Sequence, residues 1–327
     1  MGGMRGTISL FTLFLLVGGL ANSAVAAQAR PASERAGAAM PRTGAARVIF
    51  DTDIGDDIDD AYALGFLLRS PEVQVLGVTT AFEDTHLRAR LATRFLKAAG
   101  RGEVPVHEGP RTEGVSHFSQ GRWAEGSPDR AYPDAIEFVL KTIRESPGQI
   151  TLVAVAPLTN VGALIAKDAK TFGKLKRVVL MGGSVERGYG NKDTPDAEWN
   201  IVNDVAAAKA LFASGVPLYV MPLDSTQIPL DATRQAELFG KKTGMAKALE
   251  ELTAEWSAAA VNRKPPLLFD AVAAAYAVKP EVCPATAMRI EVDDKGFTRK
   301  VSGVANANVC LLSATGEFFD LLMSRVF

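Results

Sequence analysis

Residues 47–64 read RVIFDTDIGDDIDDAYAL. A short apolar run, Val48 to Phe50, gives way to an acidic turn and then to helical spacing, so the stretch reads as strand, loop and helix. The same alternation spreads outward along the chain. Val73 to Thr79 precedes Leu87 to Ala98, Ile150 to Val155 precedes Leu158 to Ala166, Val178 to Met181 precedes Val205 to Phe212, and Val216 to Met221 follows. Strands apolar along their whole length and separated by helices predict an α/β fold, an open, mostly parallel sheet with helices on both faces. No repeat, linker or composition break divides residues 47–327, so they are expected to form a single domain. Two stretches, Glu108 to Arg130 and Gly182 to Asn203, are too rich in Gly, Pro, Asn and Asp for helix or strand. Ligands of open parallel sheets sit beyond the carboxyl ends of the strands, so both are candidate walls of a site.

Between Asp51 and Asp60 there are six aspartates in ten residues. Beside a buried strand, that much uncompensated negative charge is costly, and a bound cation resolves the conflict. With only oxygen ligands present and neither Cys nor His nearby, Ca²⁺ and Mg²⁺ are favoured over Zn²⁺. Gly55 permits the sharp turn that brings Asp53 back towards the helix start. A helix start enriched in carboxylates to match its dipole would account for one or two of the six.

The 327 residues carry a net charge of −1 with both signs interleaved, which argues against a nucleic-acid polymer as partner and for a small molecule. A homo-oligomer is left open. Residues 1–29 read as a secretory signal peptide: one arginine, an apolar core and small residues, with cleavage expected near Ala26 to Ala29. The core from Ile8 to Leu20 is shorter than the ~20 residues that span a bilayer, so no stable membrane insertion is expected after cleavage. The expected location is secreted or periplasmic. Residues 30–46, rich in Ala, Arg, Pro and Gly, read as a disordered leader. Cys283 and Cys310 are too few for a disulfide framework; one bridge is compatible, and two unpaired buried thiols are the favoured expectation.

The segment DTDIGDDIDDAYAL resembles the N-terminal signature of the inosine–uridine-type nucleoside hydrolases, DTDPG, one residue, then DDA. Further segments follow in that family's order: Gly77 to Thr80, Thr151 to Asn160, Val179 to Gly183 with Ala197 to Asn200, and Phe269 to Ala273. The resemblance implies a Rossmann-like sheet and calcium-dependent hydrolysis of the N-glycosidic bond of a small ribonucleoside. It implies Asp53 as metal ligand and general base, Asp51 beside the metal, Asp270 as the distant ligand and the Val155 carbonyl completing the coordination. Glu198 and Asn200 match residues that bond the ribose hydroxyls. Asn191 matches another with the spacing off by one, and Asp224 is expected to face the site.

Three departures from the pattern stand out. The acidic run is two residues longer, so aligning Asp59-Asp60-Ala61 with the family's DDA makes Asp60 a metal ligand, with Asp57 as the competing choice. Glu83-Asp84 stands where the family often has Gly-Asn, leaving Asp84 as a candidate acceptor for a ribose hydroxyl. Phe269 replaces a histidine that in many purine-cleaving members precedes the last metal-binding aspartate, and a phenyl ring donates no proton. Of the three histidines, His117 is the best remaining acid, while Trp123, Tyr189 and Trp199 are candidates to stack on the base. Cleavage of a ribosyl–nitrogen bond passes through an oxocarbenium-like sugar, for which carboxylates and a water-activating base are the fitting chemistry. The competing reading is a non-catalytic periplasmic protein that binds nucleosides or other ribosides. A haloacid dehalogenase-type phosphatase would share Asp-x-Asp after a strand but not the later segments.

Overall fold

The computed structural model describes residue 2 and residues 42–113, 118–259 and 265–325. Its strands are β1 (Ala46–Thr52), β2 (Val73–Thr80), β3 (Val106–Glu108), β4 (Ile150–Ala154), β5 (Arg177–Met181), β6 (Leu218–Met221), β7 (Thr286–Val292), β8 (Thr298–Val301) and β9 (Ala307–Val309). Its helices are α1 (Asp59–Arg69), α2 (Thr85–Ala98), α3 (Gly121–Glu125), α4 (Ala135–Glu145), α5 (Thr159–Phe172) and α6 (Trp199–Val202), then α7 (Val205–Ala213), α8 (Leu223–Thr226), α9 (Ala232–Gly240), α10 (Gly244–Ala259), α11 (Phe269–Val278) and α12 (Thr315–Arg325). The strands form one sheet in the order β3-β2-β1-β4-β5-β6-β9-β7-β8. Pairing is parallel from β3 through β9, and β7 runs antiparallel to both β9 and β8.

The central strands bury both faces, as a parallel sheet covered by helices must. Val48, Phe50, Val153 and Val179 join a core with the apolar residues of α1, α2 and α11. Their neighbours Ile49, Leu152 and Val178 face the other way, into a second core with residues of α4, α5 and α7. Strand β1 lies between β2 and β4, where the strand order reverses. The crevice at such a reversal opens beyond the carboxyl ends of the strands, and the acidic turn is placed there.

Two expectations are corrected. The domain begins before Arg47: the Arg42 N–H bonds the Pro71 carbonyl at 2.8 Å, and Ala46 already belongs to β1, because the start of β2 offers it partners. Cys283 and Cys310 form a disulfide with Cα atoms 5.6 Å apart, rather than two free thiols. The chain reversal through β7, β8 and β9 brings together two cysteines 27 residues apart. Apart from residue 2, the signal-peptide stretch lies outside the described residues, as do residues 30–41 of the leader and His117. No helix among the described residues is long and apolar enough to cross a membrane.

Candidate active site

Asp51 and Asp53 leave the end of β1, and the turn that follows is shaped by Gly55 at φ +127°. A Cβ at Gly55 would lie 2.3 Å from the Phe118 ring, so any other residue there would be blocked by sterics as well as by dihedral preference. The turn is braced from two sides. Ser119 Oγ donates to the Asp56 carbonyl at 2.7 Å, and Gln120 Nε2 donates to the Asp57 carbonyl at 2.8 Å. From α2, the fully buried Arg88 donates Nε to the Phe82 carbonyl at 2.9 Å, Nη1 to the Asp53 carbonyl and Nη2 to Asp56 Oδ2 at 2.9 Å.

The turn delivers Asp59 and Asp60 into the first turn of α1. Helix α11, buried on every side and almost entirely apolar, packs on α1 and carries Asp270 at its own start. The Asp270 N–H donates to Asp59 Oδ2 at 3.0 Å. Carboxylate oxygens of Asp59, Asp60 and Asp270 lie within 4.8 Å of one another, all three side chains buried. Burial first, and then the negative charge of neighbouring aspartates, Asp53 and Asp57 included, pushes all three carboxyls well above the ordinary range. Three buried carboxylates offering only oxygen fit a hard divalent cation, whose charge would offset their mutual repulsion.

This group lines a cavity of about 350 Å³ together with Asp53, Asp56, Asp57, Glu198 and Asn200 and the apolar and aromatic side chains of Val155, Met181, Leu223, Phe269, Tyr189 and Trp199. Burial pushes the Asp53 carboxyl up to about 7, with Arg88 opposing the rise and Asp56 adding to it. Burial likewise raises Glu198 to about 7, against hydrogen bonds from the backbone N–H groups of Asn200 and Gly183. Glu198 caps α6, and Asn200 Nδ2 donates to the carbonyls of Val155 at 2.9 Å and Met181 at 3.1 Å, so this pair ties the ends of β4 and β5 to the loop before α6.

Not every residue expected at the site reaches it. Asp57 lines the cavity but stands outside the tight group of three, and its Oδ1 accepts the Ile58 N–H at 2.7 Å; Asp60 is inside the group. Asp59, passed over in the sequence as a ligand, is there too, and its place beside Asp60 in the Asp-Asp-Ala triplet was the available signal. Asp51 sits beneath the cavity, bonded by Thr79 Oγ1 at 2.6 Å and Asn160 Nδ2 at 2.7 Å, while its buried Oδ2 has no hydrogen-bond partner. Asp84 does not face the cavity: it caps α2, accepting the Leu87 N–H at 3.0 Å, and pairs with Arg111. Asp224 is likewise drawn off, its two oxygens accepting the N–H groups of Val185, Glu186 and Arg187. Asn191 Oδ1 is turned to Gln227, so it too is absent from the cavity wall. Trp123 lies in the core with its indole bonded to Glu251.

The profile of the inosine-uridine preferring nucleoside hydrolases matches residues 48–319. A pyrimidine-specific ribonucleoside hydrolase, RihA, of Citrobacter koseri is 30% identical over 313 residues, covering 85% of this chain and 97% of its own. A probable uridine nucleosidase of Oryza sativa subsp. japonica is 36% identical over 220 residues, 62% of this chain; the match spans 64% of that relative's length. Among solved structures, a plant nucleoside hydrolase superposes with a TM-score of 0.77 at 26% identity, covering 86% of this chain and 98% of its own. A purine-preferring ribonucleoside hydrolase from Gardnerella vaginalis superposes with a TM-score of 0.75, also at 26% identity, with the same coverage. The match along nearly the whole ordered chain, together with the carboxylate cavity at the β1–β4 crevice, makes this chain a member of the inosine-uridine preferring nucleoside hydrolase family, enzymes that hydrolyse N-glycosyl bonds.

Proposed function

We propose that the protein is a calcium-dependent hydrolase that cleaves ribonucleosides to ribose and free base, and that it acts outside the cytoplasm. The observation that carries this reading is the meeting of Asp59, Asp60, Asp270 and Asp53 with Glu198 and Asn200 around one cavity. Asp59, Asp60 and Asp270 would hold the cation, with the Val155 carbonyl and Asp53 at its edge. When bound, the cation supplies anchorage for a vicinal diol and polarisation of the attacking water. Asp53, buried and lining the same cavity, is placed to take that water's proton as its oxygen approaches C1′. Glu198 keeps lone pairs beyond those used by the backbone and can accept from a ribose hydroxyl, and the surrounding carboxylates favour the positive charge that develops on the sugar. Secretion is supported by the N-terminal apolar segment and by the Cys283–Cys310 bridge, which suits an oxidising compartment.

The relatives are named for uridine, pyrimidine and purine substrates, so the test is a panel of purine and pyrimidine nucleosides assayed for released reducing sugar with and without calcium. Calcium-dependent release from at least one of them is expected. Nucleoside binding without release from any would overturn the enzyme reading in favour of a binding protein.

A further inference from the structure

A ribose that meets the carboxylates leaves its base to the aromatic part of the lining, where Phe269 offers no polar donor. Among the described residues lining the cavity, three side chains carry neutral donors: Asn200, Trp199 and Tyr189. Both polar hydrogens of the Asn200 amide serve the Val155 and Met181 carbonyls. The Trp199 ring stands edge-on to Phe82, with centroids 6.2 Å apart, and forms a wall; its indole N–H is a weaker donor than a phenol. Tyr189 remains.

The loop is built around that residue. The Tyr189 N–H donates to Asp196 Oδ2 at 2.9 Å. Buried Gln227 accepts the Gly190 N–H at 2.7 Å, donates to the Gly188 carbonyl at 3.0 Å and holds the Asn191 side chain away from the cavity. Asn191 takes φ +59°, a left-handed conformation that the clamp sustains. At the other end of the side chain, Tyr189 Oη accepts the Trp199 N–H at 3.0 Å and donates to no acceptor among the described residues. The ring is 42% exposed, at the cavity mouth.

Resting on the nucleoside-hydrolase reading, we propose that Tyr189 is a catalytic residue whose hydroxyl donates a hydrogen bond to the departing base. The C1′–N bond breaks with its electron pair passing to the base nitrogen. The water's hydroxyl oxygen bonds C1′, and its proton passes to Asp53. The phenol steadies the charge arriving on the base, which then takes a proton from solvent at the exposed mouth, and Asp53 returns its own proton to solvent. Burial, with the negative charges of Glu198 and Asp196, raises the phenol pKa, so Tyr189 keeps its proton throughout.

The experiment compares Tyr189→Phe with wild type on the best nucleoside of the panel and on 4-nitrophenyl β-ribofuranoside, whose leaving group is stable as an anion and needs no donor. Nucleoside turnover should fall by roughly 10²-fold, the scale of losing one such donor, while turnover of the nitrophenyl riboside and calcium affinity stay near wild type. Equal losses on both substrates would show that Tyr189 merely supports the Trp199 backbone, and no loss on either would show that it does nothing for the reaction; each overturns the inference. Wild-type protein inactive on both substrates would overturn the hydrolase reading itself, and the inference with it.

Discussion

Asp53 is buried in the wall of the carboxylate cavity; without a cation its burial holds the carboxyl up to about 7, and a bound cation would favour the carboxylate that can accept a proton. Asp53→Asn keeps the size of the side chain and an oxygen ligand but cannot take a proton. Turnover should fall by at least ~10²-fold, with nucleoside binding largely retained at saturating calcium; turnover like wild type would remove Asp53 from the mechanism. A contrasting case is Asp84, whose carboxylate caps α2. Asp84→Ala should cost about 1 kcal/mol, the usual value of such a cap, and leave KM unchanged; a large rise in KM would put Asp84 back at the ribose. Sequence alone separates these aspartates poorly. Asp84 and Asp224 are acidic residues that follow strand ends, as ligands would be, and only the folded path of the chain shows that backbone N–H groups already occupy their oxygens. Helix register favours Asp60 over Asp57, and in the fold Asp60 joins the tight group while Asp57 lines the cavity outside it, a turn geometry that does not appear in spacing.

At the scale of elements, the acidic turn works as a part clamped between α2 and the segment Phe118 to Gln120. Gly55 is the position where this clamp tolerates least. Gly55→Ala puts a methyl group into the Phe118 ring and into a disfavoured φ, so a strain of about 1–3 kcal/mol is expected. The variant should melt lower and, because the turn is clamped to Ser119 and Gln120, bind calcium more weakly; calorimetry showing wild-type affinity would mean that the Phe118 ring moves instead of the turn. The long elements were legible because apolar periodicity determines them: the predicted strand Ile150 to Val155 is β4 nearly to the residue, and Leu87 to Ala98 lies within α2. The short helices α3, α6 and α8 were not, for four or five residues carry no period. They form because caps and loop anchors such as Glu198 fix them. The β7–β8–β9 edge also escaped the reading, and with it the reason that Cys283 meets Cys310.

For the molecule as a whole, the site is a store of unfavourable charge that a cation should relieve. Folding raises Asp51 from 3.8 to about 6, Asp53 from 3.8 to about 7 and Glu198 from 4.5 to about 7, burial being the leading cause for each. Between those values the folded protein binds more protons than the unfolded chain, so the metal-free protein should be most stable below the lower values and lose stability as pH rises towards 7. Calcium should therefore raise the melting temperature much more at pH 7 than at pH 5. Equal shifts at the two pH values would contradict this, and so would metal-free protein that gains stability on going from pH 5 to 7. The parallel sheet and its crevice were readable from the order of apolar runs, whereas the pairing of Asp59 with Asp270 was not: resemblance pointed to Asp270 as a ligand, and no local pattern links it to Asp59. Those two residues are 211 positions apart and belong to helices that meet only when the chain has closed on itself. Closing so long a loop is slow to be rewarded, so assembly of the site is expected late in folding. Calcium should then act as a lock on the finished molecule, slowing unfolding while leaving the refolding rate almost untouched, a separation that stopped-flow measurements at two calcium concentrations would resolve.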